Sequence, residues 1–520
     1  MSKFLRGTFI LLIATLITRI LGFINRIVIA RFIGEEGVGL YMMALPTLFL
    51  VITITQLGLP VAISKFVAEA DARGDDKKVK KILVVALTCT FGLSLIFTPA
   101  MLLLAPMLAE TLFTDDRTIW PLMAIAPIVP IVAISSVLRG YFQGRQNMKP
   151  YALSQVIEQI ARITFIAVLT KAFLPYGIEY AAMGAMFASV IGELVSLVYL
   201  MTTFKLKKHF RVRKNFFSMA KSSKGTFIEL MGIGLPTTGS RLIGNISWFF
   251  EPIVVAQSLA IAGVSTAIAT RQYGELTGYA LPLLMLPSFV TTSLATSLVP
   301  AVSEAKSLGD YSLIERRLQQ TLRITFITGS LAMVILFVLA EPVLEVMYHS
   351  SNAAIFIKFL APFFILFYCQ LPLQSMLQAL NLAKAAMINS FIGAVVKIVI
   401  IWLLASKESF GIMGAAIGIA SGTILVTFLH FSTILKVIPF TLKIRTYLSP
   451  IAIAVIAGGS GHYAYYSLFS SLAPLSQLLL SATVISAVFL AISLLTGVIR
   501  KAEIKRIPYI GMFLSKFAFR

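Results

Sequence analysis

TFILLIATLITRILGFINRIVIAR, residues 8–31, decides how this chain is read. The stretch is apolar for long enough to cross a hydrocarbon core of ~30 Å. Yet it carries Arg19 and Arg26, and a charge at the bilayer centre costs at least ~2.5 kcal/mol. At ~100° per residue, positions seven apart lie about 20° apart around a helix. Thr8, Thr15 and Gly22 therefore share one stripe with Arg19 and Arg26, and leucines and isoleucines take the rest. The helical rise puts Arg19 ~18 Å into its helix, near the midplane, and Arg26 ~10 Å further out, where it can reach toward the outer head groups. A related string, SRLIG at 240–244, recurs inside another apolar run, with Arg241 ~21 Å along it. Two midplane arginines at matching places predict a water-filled, cationic cavity.

Composition sets the class. The chain has 520 residues, 58% hydrophobic and 13% charged, more apolar than a soluble protein needs, so it reads as a polytopic α-helical membrane protein. A β-barrel would show alternating ten-residue segments instead of continuous apolar runs. Lys3 and Arg6 precede the first run as in a signal peptide, but the run is too long and lacks a small-x-small cleavage site, so it reads as an uncleaved first helix. Cys89 and Cys369 sit in distant apolar spans and read as buried free thiols. His209, His349, His430 and His462 lack metal spacing and read as solvated or at the lipid interface. No GxxxxGK[ST] loop is present, and GGSGH at 458–462 is no nucleophile elbow. No enzyme, cofactor or metal site is expected.

Fourteen apolar spans can be drawn, at roughly 7–31, 40–67, 82–105, 119–142, 152–173, 180–201, 227–257, 275–301, 322–341, 355–380, 387–405, 411–435, 447–468 and 475–499. Lysine and arginine crowd the connections on the N-terminal side, above all at 68–81, 202–226 and 500–520. The other side holds only Arg117, Lys171, Arg271, Lys358 and Lys407, beside acidic Glu35, Glu36, Asp115 and Asp116. Both termini are therefore expected in the cytoplasm. The net charge of +22 needs no nucleic acid; the basic 202–226 loop offers contact with anionic membrane lipids instead.

An internal repeat follows. QGRQNMK (143–149) is echoed by QALNLAK (378–384), and at that offset Arg162 meets Lys397. LGLPVAISK around Pro60 is echoed by SLVPAVSEA around Pro300, followed by RGD (73–75) and LGD (308–310). Gly184, Ala188 and Gly192 are matched by Gly414, Gly418 and Gly422, small residues that mark close helix packing. The expected organisation is an N-terminal six-helix lobe, 1–220, a C-terminal six-helix lobe, 221–440, and two further helices with a basic cytoplasmic tail, 441–520. An even helix number gives the two repeats one orientation.

Further polar residues extend the predicted wet surface. Thr53, Thr55 and Gln56 lie in span two. Glu158 and Arg162 stand i,i+4 as an ion pair or coupling pair. Glu193, Glu229 and Glu251 are candidate partners or coupling groups, as is Lys397. Pro236, Pro252 and Pro287 suggest bendable inner helices. Arginine's planar fork suits phosphate oxygens and stays charged, so a cationic cavity calls for a phosphate-bearing substrate, for which a lipid-linked pyrophosphoryl sugar fits.

TRILGFINRIVIARFIG (18–34), QLGLPVAISKFVAE (56–69), GYFQGRQNMK (140–149) and the 6+6+2 layout resemble the polysaccharide-transporter branch of the multidrug/oligosaccharidyl-lipid/polysaccharide exporter superfamily, across essentially the whole chain. The resemblance implies a V-shaped alternating-access fold and a flippase for a lipid-linked peptidoglycan precursor, acting in spore cortex synthesis. Related lipid II flippases carry S-R-x-L-G-F-x-R-D in their first helix. Its first arginine falls on Arg19, and its second falls on Asn25, with Arg26 one place on. Their second-helix arginine has no counterpart at Thr53 to Gln56, and their eighth-helix arginine has a loose one in Arg271.

Two other readings stand beside this one. A drug/cation antiporter of the same fold would place an acidic residue in the first helix, which has none before Glu35; Glu229 and Glu251 keep that reading open. A non-transporting scaffold would recruit cell-wall synthases through its basic loops.

Overall fold

The computed structural model describes residues 3–207, 224–441 and 443–499. The middle of the basic 202–226 loop, with His209, and the tail from residue 500 lie outside them. Every regular element among the described residues is helical. The α-helices are α1 (Lys3–Gln56), α2 (Leu59–Ala72), α3 (Asp76–Met107), α4 (Ile119–Ile125), α5 (Ile128–Gly144), α6 (Met148–Phe173), α7 (Ile178–Lys207), α8 (Lys224–Ile261) and α9 (Thr266–Gly274). They continue as α10 (Leu281–Met285), α11 (Ser288–Ser307), α12 (Tyr311–Val338), α13 (Ala340–Tyr348), α14 (Ala354–Ala379), α15 (Ala383–Ala405), α16 (Ile412–Leu435), α17 (Ile444–Tyr463) and α18 (Pro474–Leu495).

Leu95, Ile96 and Leu103 of α3 stand 60%, 63% and 80% exposed. Hydrocarbon, and not water, is the solvent for such a surface, and helices satisfy the backbone inside it. The protein is a multi-pass membrane protein. Eleven described helices are long and apolar enough to cross, or twelve if the pair Thr266–Met285 and Ser288–Ser307, bent by 54°, counts as one span. This differs from the sequence count of fourteen for two reasons. Ile13–Ala72 runs as one continuous stretch, and Ile444–Tyr463 is not among the qualifying helices. α1 consists of two helices that meet at Gly34, and at ~1.5 Å per residue the part on either side is long enough for a crossing of ~30 Å. The chain turns inside it at Gly34, whose φ of 64° and ψ of −173° break the helix in a conformation open essentially to glycine alone.

Among the described residues, those up to 278 together with 405–412 form one compact unit, and those at 279–404 and from 413 onward form another. By its contacts the seventh span, α8, groups with the first unit. Each unit has its own core, and the cores show the repeat. Val79, Leu83, Leu138 and Phe142 are buried in the first. Ile314, Leu318, Leu373 and Leu377, all at the offset that relates QGRQNMK to QALNLAK, are buried in the second. The connections match as well. Gln146 and Asn381 both take left-handed backbone, at φ 53° and 62°. Asp75 and Asp310 each cap the following helix, accepting from the backbone N–H three residues on. The small-residue stripes do the packing expected of them. A Cβ on Gly192 would lie 2.9 Å from the Glu158 carbonyl oxygen, and one on Gly422 would lie 2.9 Å from the Lys397 Cβ.

Candidate functional site: a polar cavity and a buried charge cluster in the first unit

Within the first unit α1 packs against α6, α8 and α9. Where it passes α6 a cavity of about 240 Å³ opens, lined from α1 by Gly22, Asn25, Arg26, Tyr41 and Phe49, from α6 by Gln159 and Arg162, and from α8 by Trp248. One water's share of liquid volume is ~30 Å³, so the space takes a polar group of several atoms. Phe49 and Trp248 wall one side with ring centroids 5.1 Å apart. Beside them Asn245 Nδ2 donates to Thr53 Oγ1 at 2.6 Å, joining α8 to α1.

Three polar atoms at this cavity are buried without a hydrogen-bond partner: Asn25 Oδ1, Gln159 Oε1 and Arg162 Nε. Buried polar groups ordinarily find partners, and each one left alone costs ~1–3 kcal/mol. The guanidinium-bearing Arg26 and Arg162 and the amide-bearing Asn25 and Gln159 line one space, a residue set that suits an anion that also carries hydroxyl groups.

Behind the cavity lies a charge cluster. Arg139 of α5 donates from Nη2 to Glu158 Oε2 at 3.0 Å, to Glu193 Oε1 at 3.1 Å and to Ser196 Oγ at 3.1 Å. Arg162 pairs with the other oxygen of Glu158. Two guanidinium groups thus balance two carboxylates, and the Glu193 side chain is only 3% exposed. A buried carboxylate without such partners would cost several kcal/mol. Arg139 was not among the residues the sequence singled out. It stands in the apolar run ISSVLRGYF, the same signal that drew attention to Arg19, but no repeated motif marked it.

The other sequence candidates lie elsewhere. Arg19 and Arg241 are exposed, on α1 and α8 of the first unit, and neither lines the cavity. Gln56 is half-buried at the end of α1. Glu229 pairs with Lys78 at 3.3 Å. Glu251 is buried in α8 and engaged with a partner, and Lys397, on α15 of the second unit, is engaged too. Arg271 is held by Glu35 and Glu275, each at 3.0 Å. Next to it Arg117 bridges Glu36 at 2.6 Å and Asp115 at 2.9 Å, and Thr270 donates to Asp115 at 2.6 Å. Burial pushes the Asp115 carboxyl up, but the Arg117 and Thr270 hydrogen bonds outweigh it and leave its pKa below the ordinary value.

One histidine corrects the sequence reading. His430 is 1% exposed, neither solvated nor at a lipid interface, and its Nδ1 lies 3.3 Å from Asn389 Nδ2. His349 and His462 are exposed. Cys369 is buried and Cys89 half-buried, both as free thiols. Among the described residues no group of three or more His, Cys, Asp or Glu comes together in a way that would hold a metal.

Residues 4–306 match the model of the polysaccharide biosynthesis protein family. The chain belongs to that family. Residues 276–403 also match the MatE family model. The chain is 58% identical to stage V sporulation protein B of Bacillus subtilis (strain 168) over 99% of each chain. It is 29% identical to lipid II flippase MurJ of the same organism, over 77% of each chain. A solved structure of lipid II flippase MurJ in an inward closed conformation superposes with a TM-score of 0.68 at 16% identity, covering 93% of this chain and 98% of that one. At that identity the superposition speaks for the fold, which is thus the all-helical transporter fold that the sequence motifs resemble. The family's relatives are named as membrane flippases and sporulation proteins, and none of these names describes a catalytic enzyme.

Proposed function

We propose that the protein is a flippase that moves a lipid-linked pyrophosphoryl sugar, a peptidoglycan precursor of the lipid II type, across the cytoplasmic membrane by alternating access, in the making of the spore cortex. The observation that carries this reading is the cavity beside α1. It joins the Arg26 and Arg162 side chains to the unpaired polar atoms of Asn25 and Gln159. Guanidinium groups recognise phosphate oxygens by paired hydrogen bonds, and amide oxygens accept from sugar hydroxyls. A cation would meet like charge here, which disfavours a drug/cation antiporter.

On this reading Arg19, Arg241 and Gln56 extend the polar surface that the head group follows, while the lipid tail stays in hydrocarbon. Both termini face the cytoplasm, with lobes at 1–220 and 221–440 and the two last helices beyond. The lipid-linked substrate and membrane lipids are the partners, with cell-wall synthases as the proposed protein partners. Support comes from the names of two relatives, one a sporulation protein and one a lipid II flippase.

The test is reconstitution into vesicles carrying a fluorescent lipid II on one leaflet. Label appearing on the other leaflet faster than in protein-free vesicles supports the reading. Equal rates, together with gradient-driven ethidium transport by the same preparation, would establish the antiporter in its place.

A further inference from the structure

Arg162 belongs to two sites at once. Its Nη2 pairs with Glu158, while its Nε is buried and unpaired and its side chain lines the cavity. From this shared guanidinium we infer that the Glu158–Glu193 pair is a proton-binding site, loaded when an anion in the cavity draws Arg162 away. The inference rests on the cavity being the phosphate site of the proposed function, and adds what happens behind it.

The charge count carries the argument. With the cavity unoccupied by an anion, Arg139 and Arg162 balance Glu158 and Glu193. An anion beside Arg26 competes with Glu158 for the Arg162 fork, and phosphate offers it paired acceptors. Once Arg162 turns, Arg139 alone faces two carboxylates and holds both through the same Nη2. Two carboxylates sharing one cation in a water-poor site do not both stay ionised. One proton, taken from water, binds the pair as a carboxylic acid; the guanidinium stays protonated throughout. When the anion leaves, Arg162 returns to Glu158 and the proton goes back to water.

The charged and titratable groups that face this cluster are few. Arg139 comes from α5 and Glu193 from α7. Tyr151 on α6 has its hydroxyl 3.3 Å from Gln155 Nε2. Arg26 and Tyr41 of α1 line the cavity side. None is an additional carboxylate, so the pair itself is where the proton goes.

Linkage gives the measurement. If binding takes up one proton, affinity for the anion falls by up to about tenfold per pH unit where the pair would otherwise be ionised. The full chain in detergent is titrated calorimetrically with farnesyl pyrophosphate in two buffers of different ionisation enthalpy, whose difference reports protons bound. Wild type is expected to take up about one proton per probe bound. Glu193→Gln leaves Arg139 and Glu158 balanced after Arg162 departs, so its uptake falls to none while binding persists. Binding without proton uptake in the wild type overturns the inference and leaves the phosphate cavity standing. Uptake that survives in Glu193→Gln also overturns it, by placing the proton elsewhere. Absence of binding contradicts the proposed function itself.

Discussion

Replacing Arg139 by leucine isolates the energetics of the buried cluster. The side chain contributes four hydrogen bonds from Nη2, at 3.0 to 3.2 Å, to Glu158, both carboxylate oxygens of Glu193, and Ser196. Its loss leaves Glu193, with a side chain 3% exposed, beside no cation of its own. Breaking a buried pair in this way costs ~3–5 kcal/mol. The chain has one escape, which is to protonate the stranded carboxyl. From a reference value near 4.3 that costs ~3.7 kcal/mol at about pH 7 and ~1.4 kcal/mol less for each unit of acidification. The pH-dependent part of the Arg139→Leu penalty is therefore about 4 kcal/mol at neutral pH and shrinks toward about 2 kcal/mol near pH 6. Glu193→Gln on top of Arg139→Leu removes the stranded charge and returns ~2 kcal/mol or more as a coupling energy. Thermal unfolding of the purified chain in detergent, for wild type, both single variants and the double, reads all of this. A pH-independent penalty, or additive single and double effects, would refute a charge-balanced cluster.

Gly192→Ala places a Cβ 2.9 Å from the Glu158 carbonyl oxygen. Backbone cannot yield as a side chain tip does, so α6 and α7 are pushed apart at ~1–3 kcal/mol; Gly225→Ala, with nothing within 4 Å, serves as the control and should unfold at the wild-type temperature. Gly34→Ala forces a β-carbon into the break of α1, costing ~1–3 kcal/mol and lowering the yield of folded protein from membranes. Asp115→Asn weakens the bonds from Arg117 and Thr270 and costs ~1.5–3 kcal/mol at neutral pH. The Asp115 pKa is depressed in the folded chain, so its stabilisation is complete above the unfolded value and is lost as pH falls through the folded one. The gap between wild type and Asp115→Asn in detergent melts should therefore close below about pH 4.

The helical membrane class was legible because hydropathy is a local property, and the paired short motifs were legible for the same reason. QGRQNMK and QALNLAK share a turn, and the two chains of residues bend alike at Gln146 and Asn381. Gly34 breaks α1 between the apolar runs that the sequence separates as 7–31 and 40–67, beside the acidic pair Glu35 and Glu36. Site residues divided by the kind of signal they gave. Asn25, Arg26 and Arg162 reach one cavity because α1 and α6 pack face to face, a pairing that the polar stripe on α1 foreshadowed from one side only. Glu158 and Arg162 were visible as an i,i+4 pair, whereas Arg139 meets them only through tertiary packing of α5 on α6 and α7. Burial of His430 depends likewise on a neighbour, Asn389 of α15, that is distant in sequence.

The central claim is that cavity guanidinium groups grip the phosphate of the transported lipid, and Arg26→Ala tests it most directly, because Arg26 lines the cavity and lies outside the buried cluster. Fluorescent lipid II translocation in vesicles, compared at equal reconstituted protein, should fall by at least about tenfold, as losing one charge-assisted contact of ~1.5–3 kcal/mol requires. Unchanged translocation by Arg26→Ala would contradict the account.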